Sequence, residues 1–166
     1  MKLKPIIIVI LCTIFMTVGL SCFNNQEEIQ NNSTVFPREV TLEQASEVIG
    51  AEVPSPHGMP EGYTVQNIIL EDSNTLKLLI VKSDDYNIDL TINKTVVPLK
   101  ISGVPTVSIN GIVGYFYSGE DENMIQWNMV LPSQTTTPGT LFELTLIASK
   151  NIPTGEVQIV AESVGW

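Results

Sequence analysis

Alternation of apolar and polar residues constrains the fold of this chain more than any other feature of its sequence. Ile88, Leu90 and Ile92 alternate with polar neighbours, which is the period of a strand with one buried face. Pro98 and Pro105 restrict the segment around them to short or edge strands, because proline cannot donate a ladder hydrogen bond. By the same pattern we expect longer strands at 63–70, 76–82, 87–93, 112–117, 124–131 and 140–149.

Two amphipathic segments predict helices on either side of these strands. The segment 41–49 begins at a capping-box threonine, Thr41, and ends before Gly50, which suits the left-handed position after a helix. A second apolar stripe at helical spacing predicts a helix over 156–163, with Thr154 as its N-cap. Burying both stripes predicts an α+β fold, in which an N-terminal and a C-terminal helix pack on one face of a mostly antiparallel sheet of six to seven strands.

The start of the chain has the pattern of a secretory signal. Lys2 and Lys4 give a basic beginning, and an uncharged, mainly apolar stretch follows. That stretch is also near the length of a membrane span, so a permanent signal anchor is the alternative. Residues 18–22, VGLSC, resemble a bacterial lipobox, in which a small residue precedes an acylated cysteine. The resemblance implies that 1–21 is a signal peptide and that Cys22 carries lipid, with acyl chains such as palmitate.

The rest of the chain is expected to divide into a tether and one domain. Residues 22–35 are mostly polar after the acylated cysteine, which predicts a disordered spacer. Residues 36–166 form a single extracytoplasmic domain, anchored to the cell membrane through Cys22. Cys12 leaves with the signal, so no disulfide is expected. Six cations and 18 acids then remain, and the net charge of −12 argues against nucleic acid as a partner and against anionic headgroups.

The sequence offers little material for catalysis or for metal binding. His57 is the one histidine, in a proline-flanked loop, and no GxSxG, GxGxxG or GK[ST] motif occurs. We therefore expect no enzymatic activity and no cofactor, with His57 exposed in its loop. Two acidic clusters at predicted hairpin tips are weak calcium candidates, although such tips are commonly acidic simply because they are solvated. The candidate ligands are Asp84, Asp85, Glu120, Asp121 and Glu122.

Three further segments carry a family resemblance. Residues 54–63, PSPHGMPEGY, precede the first long strand; 109–111, ING, precede Trp127 in a predicted hairpin; and 159–164, IVAESV, close the last helix. Together they resemble a bacterial extracytoplasmic domain of unknown function, which occurs in lipoproteins and in the outer parts of anti-sigma-factor-like membrane proteins. The resemblance covers about residues 41–164 and implies neither an activity nor a catalytic residue.

Four residues within these segments have structural interpretations. Pro60 and Gly62 are expected to supply turn geometry, and Tyr63 to begin a strand. Trp127 is expected to fill the core, as a large aromatic residue in an amphipathic strand usually does.

These observations predict a membrane-anchored bacterial lipoprotein that acts as a non-enzymatic binding or sensing module of the cell envelope. Its partner is expected to be an envelope protein or ligand whose identity the sequence does not give. The alternative is a carrier or chaperone that holds a lipid or an apolar peptide in a groove of the sheet, which requires that groove to be open and apolar.

Overall fold

The alternating segments form one wide antiparallel sheet. The computed structural model describes residues 35–83, 86–131 and 139–166, and the predicted signal peptide, Cys22 and the tether up to residue 34 lie outside them. The eight strands are β1 (Arg38–Glu39), β3 (Thr64–Leu70), β4 (Thr75–Ser83), β5 (Tyr86–Thr95), β6 (Thr106–Ile109), β7 (Ile112–Ser118), β8 (Glu122–Leu131) and β9 (Thr140–Ser149). They lie in the order β1-β3-β4-β5-β9-β8-β7-β6, and all neighbours are antiparallel. A separate two-stranded ribbon pairs β2 (Ser55–Pro56) with β10 (Val164–Gly165).

One face of the sheet forms the core. Leu76, Ile92, Leu144 and Trp127 follow one another in register across β4, β5, β9 and β8, and all four are 0% exposed. Burying such a side chain contributes about 1.5–3 kcal/mol, so this row alone joins the four strands firmly. The residues that alternate with it point to the other side, which we call the open face.

The first helix, α1 (Leu42–Ile49), has the ends that the sequence predicts. Thr41 and Gln44 exchange the two hydrogen bonds of a capping box, and Gly50 closes the helix at φ +70°. Ala45 and Ile49 are buried in the core. The Lys94 ammonium donates to the Ile49 carbonyl at 2.7 Å, which attaches the end of α1 to the last residues of β5.

The second helix, α2 (Thr154–Glu162), begins differently from the prediction. Thr154 is its first helical residue, whereas Pro153 occupies the N-cap and makes no side-chain hydrogen bond. Proline is tolerated at this position because the N–H of an N-cap residue makes no hydrogen bond within the helix. Val157, Val160 and Ala161 are buried, and the helix contacts β6 and β8.

The strand count and the placement of the helices differ from the prediction, while the mostly antiparallel sheet is confirmed. Eight strands and a ribbon replace six or seven strands, because pairs as short as Arg38–Glu39 and Ser55–Pro56 show no periodicity. Pro56 is tolerated in β2 because that strand pairs on one side with β10. Neither helix is a terminal element, since β1 precedes α1 and β10 follows α2.

The connection from β5 to β6 crosses the open face. Because β5 is fourth and β6 eighth in the sheet, the segment 96–105 has to pass β9, β8 and β7. Asn128, which points to the open face of β8, holds this crossover at Leu99: its side-chain oxygen accepts from the Leu99 N–H at 3.2 Å and its amide donates to the Leu99 carbonyl at 3.3 Å. The open face is therefore partly covered by the chain itself.

Candidate functional site

A cleft of about 380 Å³ lies between the first turns of α1 and the ribbon of β2 and β10. Local hydrogen bonds shape its walls. The Ser46 hydroxyl accepts from the Val53 N–H at 3.2 Å, so the segment after α1 folds back against the helix. The His57 N–H donates to the Ser163 carbonyl at 2.7 Å and continues the ribbon pairing beyond β2. The cleft is lined by Leu42, Glu43, Ser46, Glu52, Val53, Ser55, His57, Gly165 and Trp166.

A serine and the single histidine meet in this cleft. Ser55 Oγ and His57 Nε2 are 3.0 Å apart, and Ser55 is only 7% exposed while His57 is exposed. The side chains of residues two positions apart on an extended backbone point to the same side, which explains the contact. Within the described ranges no carboxylate hydrogen-bonds the other ring nitrogen, so nothing there orients the imidazole as the third member of a catalytic triad does.

Two carboxylates and an indole ring complete the cleft. Glu43 comes from the first turn of α1 and Glu52 from the segment after it, and both are exposed. Trp166 is 41% exposed, and its ring packs against Phe142, with centroids 5.7 Å apart and planes at 56°. No lysine or arginine lines the cleft in the part of the chain that the structure describes. The arrangement therefore offers negative charge beside an aromatic surface.

Sequence patterns do not single out the residues of this cleft as a binding site. His57 was expected to be an exposed loop residue, and the structure places it in the loop, exposed and hydrogen-bonded to Ser55. The Ser-Pro-His spacing was the one local signal of that contact, because an extended segment brings residues i and i+2 to one side. Glu43 and Trp166 are brought together only by the long-range pairing of β2 with β10.

Tyr63 links the segment before the sheet to α2. Its hydroxyl donates to Glu156 Oε2 at 2.8 Å, and the Lys82 ammonium donates to the same oxygen at 2.8 Å. Lys82 also lies over the Tyr63 ring, 5.0 Å from its centroid. Burial, and then the neighbouring carboxylate, raise the pKa of Tyr63 well above its usual range. Hydrogen bonds from Lys82 and from Tyr63 lower the pKa of Glu156.

The remaining structural candidates occupy turns and the core. The Tyr63 N–H donates to the Pro60 carbonyl at 3.2 Å, and Gly62 adopts φ +89° in that turn. Trp127 is 0% exposed, and its Nε1 has no hydrogen-bond partner among the described residues. Gly114 stands opposite Trp127 on β7, where an added Cβ would come within 3.3 Å of a neighbouring backbone oxygen.

The acidic turn between β7 and β8 is held by hydrogen bonds from Lys150, which directly follows β9. Lys150 donates its ammonium to the Gly119 carbonyl at 2.9 Å, and its backbone N–H donates to the Asp121 carbonyl at 2.9 Å. Glu122 is the first residue of β8, and Glu120 is exposed in the turn. No group of three metal-ligating side chains is assembled in the described ranges. Asp84 and Asp85 lie outside those ranges.

No family model, curated protein or solved structure matches this chain. The resemblance to the extracytoplasmic domain of unknown function therefore stays a prediction. Across the described residues, no helix is both long enough and apolar enough to cross a membrane.

Proposed function

We propose that the protein is a membrane-anchored lipoprotein of the bacterial cell envelope, that its domain is a non-enzymatic binding module, and that the cleft beside α1 is its ligand site. The observation that carries this proposal is the meeting of Glu43, Glu52 and the exposed Trp166 ring in one concave site. Anchoring rests on the lipobox-like sequence that ends at Cys22.

The chemistry of the cleft favours a cationic ligand on an apolar stem, such as a lysine or arginine side chain of a peptide. An indole face attracts a cation through its quadrupole, and carboxylates in a concave site concentrate positive charge. Leu42 and Val53 supply apolar surface for the stem. The net charge of the whole chain, −10, has the same sign as the site and assists the approach of a cation.

The contact between Ser55 and His57 supports a role in recognition rather than in catalysis. Nucleophilic catalysis needs an accessible hydroxyl, a base held in one orientation, and donors for the developing oxyanion. Ser55 is only 7% exposed, so its hydroxyl is poorly accessible. The hydrogen bond that the imidazole makes is to that same serine. In a binding site the pair supplies polar groups to one side of the ligand.

A carrier that holds its ligand between sheet and helices is the second candidate function. Ile125 and Trp127 of β8, the strand that α2 contacts, are 0% exposed, as are Val157 and Val160 on the helix itself. An apolar ligand would therefore have to displace α2. Because binding in the cleft beside α1 requires no such displacement, we favour the binding module over the carrier.

Tryptophan emission tests the binding proposal, because the two tryptophans differ in exposure. Trp166 lies at the cleft, whereas Trp127 is buried and serves as an internal reference. We expect lysine- and arginine-containing peptides to shift the emission of the protein, and acetylated-lysine or glutamate peptides to leave it unchanged. Trp166→Phe should abolish the shift.

Charge variants decide whether the cleft is the site. Glu43→Gln and Glu52→Gln should each weaken binding by about 2- to 5-fold, the range for an exposed ion pair. Glu47→Gln removes the same charge from α1 outside the cleft lining and is the matched control. Equal weakening by Glu47→Gln, or a shift that persists in Trp166→Phe, would contradict the assignment of the ligand to the cleft.

A further inference from the structure

Large apolar side chains are exposed mainly at one end of the sheet. Eight such residues occur in the described ranges, and two of them, Ile159 and Trp166, lie on α2 and in the cleft. The other six form what we call the apolar rim. Its members are Val35, Val96, Val97, Ile112, Val113 and Val130.

Strand register places five of these residues, all except Val35, at the same end. Thr95, the last residue of β5, pairs with Leu141, which also pairs with Val130 near the end of β8. Val96 and Val97 follow Thr95 directly, and β7 begins there with Ile112 and Val113. The rim therefore runs across neighbouring strand ends rather than being scattered over the surface.

The chain that precedes the domain leaves from this end. Arg38 of β1 pairs with Leu70, the last residue of β3, and β1 is antiparallel to β3. Val35 comes three residues before Arg38 and is 76% exposed. The segment that leads back to Cys22 therefore begins at the apolar rim.

Valines at this end are held outward by local structure. Val96 is 93% exposed and Val97 67% exposed, although both follow a strand. The Thr95 hydroxyl accepts from the Val97 N–H at 3.2 Å and donates to the Val97 carbonyl at 3.3 Å, which fixes the backbone in a turn. Exposed apolar groups that are grouped and fixed in this way are typical of an interaction surface.

We propose that the apolar rim contacts the surface of the lipid membrane to which the chain is anchored. This inference rests on the proposed acylation of Cys22. Only 12 residues separate Cys22 from Val35. A segment of this length reaches at most about 45 Å. The end of the domain that carries the rim is therefore kept close to the bilayer.

The distribution of charge agrees with this orientation. The turn with Glu120 and Asp121 lies at the opposite end of the sheet, where β7 ends and β8 begins, so the orientation turns this acidic turn away from the membrane. At the rim end, Arg38 and Glu39 of β1 are exposed, and Glu71 and Asp72 are exposed in the turn between β3 and β4. A mixed-charge rim with grouped valines suits zwitterionic headgroups, whereas the net charge of the domain repels anionic ones.

Single labelling sites can test the orientation in the acylated full-length protein. After signal removal the chain has no thiol other than the acylated Cys22. Val96→Cys and Val130→Cys place a fluorophore on the rim. Two variants are the controls. Ile159→Cys lies on α2 at a residue that is 50% exposed, similar to Val130 at 57%, and Glu120→Cys lies at the opposite end of the sheet. All four positions are exposed, and circular dichroism verifies that each variant is folded.

The labelled proteins are reconstituted into phosphatidylcholine vesicles that contain a headgroup nitroxide lipid. We expect strong nitroxide quenching and a blue shift of emission at residues 96 and 130, and neither effect at residues 159 and 120. Equal quenching at all four positions, or no quenching at the rim of a protein that floats with the vesicles, would overturn the rim proposal alone. A protein that carries no lipid on Cys22 and does not float would overturn the anchoring proposal as well.

Discussion

Replacing Tyr63 by phenylalanine should destabilise the domain and change how its stability depends on pH. The side chain is 5% exposed, and its hydroxyl donates to Glu156 at 2.8 Å, joining the turn before β3 to α2. Phenylalanine keeps the buried ring and loses only the hydroxyl. The loss of a hydrogen bond of this kind costs about 1 kcal/mol. For a unit of about this size that free energy lowers the Tm by about 4 °C.

The pH dependence follows from the two pKa shifts at this contact. The pKa of Glu156 is lowered in the folded state, first by Lys82 and then by Tyr63, so its contribution to stability is present above the unfolded pKa of the carboxyl and is lost as pH falls. The pKa of Tyr63 is raised, first by burial, so its contribution is present below its ordinary pKa near 10 and is lost as pH rises above it. Tyr63→Phe should remove the loss of stability at alkaline pH. It should also reduce the loss of stability at acid pH, because only Lys82 then lowers the pKa of Glu156.

Urea unfolding followed by circular dichroism between about pH 3 and pH 11 measures both effects. Tyr86→Phe is the matched control, because Tyr86 also faces Lys82, at 5.9 Å from the ring centroid, and is partly buried. Its substitution should leave the pH profile close to that of the parent protein. If Tyr63→Phe and Tyr86→Phe gave the same profile, the hydrogen bond to Glu156 would not be the source of the pH dependence.

Substitutions at four further positions test local features. Thr41→Ala should lower the free energy of unfolding by about 1 kcal/mol because it breaks the capping box, whereas Thr41→Ser should keep it, as thermal melts will show. Gly50→Ala should destabilise the domain by about 1 kcal/mol in the same melts, because φ is positive at that position. Gly155→Ala should stabilise it by about 0.5–1 kcal/mol, because an added Cβ meets no atom there in the first turn of α2. Cys22→Ala should abolish palmitate labelling and membrane retention, and normal retention of that variant would contradict the lipobox interpretation.

The long strands and the first helix could be predicted because their signals are local. Residues 87–93 and 140–149 show their strand period within one segment, and the structure places β5 and β9 there. Thr41 and Gly50 mark the two ends of α1 by hydrogen bonding and by backbone conformation, which do not depend on distant contacts.

The short pairings could not be predicted, because they depend on residues far apart in the chain. Ser55, near the start of the domain, pairs with Gly165 at its other end. The cleft has the same origin, since Glu43 and Trp166 meet through that ribbon. The sequence shows that His57 is the lone histidine. Its contact with Ser55 depends on an extended backbone between the two residues, which the sequence alone does not establish.

The two faces of the sheet are used in ways that leave the perimeter for recognition. The core face is closed to solvent, and α2 contacts β6 and β8 with its buried residues in the core. The open face is crossed by the segment 96–105, which Asn128 holds at Leu99. A partner that covered the middle of either face would have to displace a helix or this crossover. The cleft at the ribbon and the apolar rim at the strand ends require neither, so the topology itself favours binding at the edges of the domain.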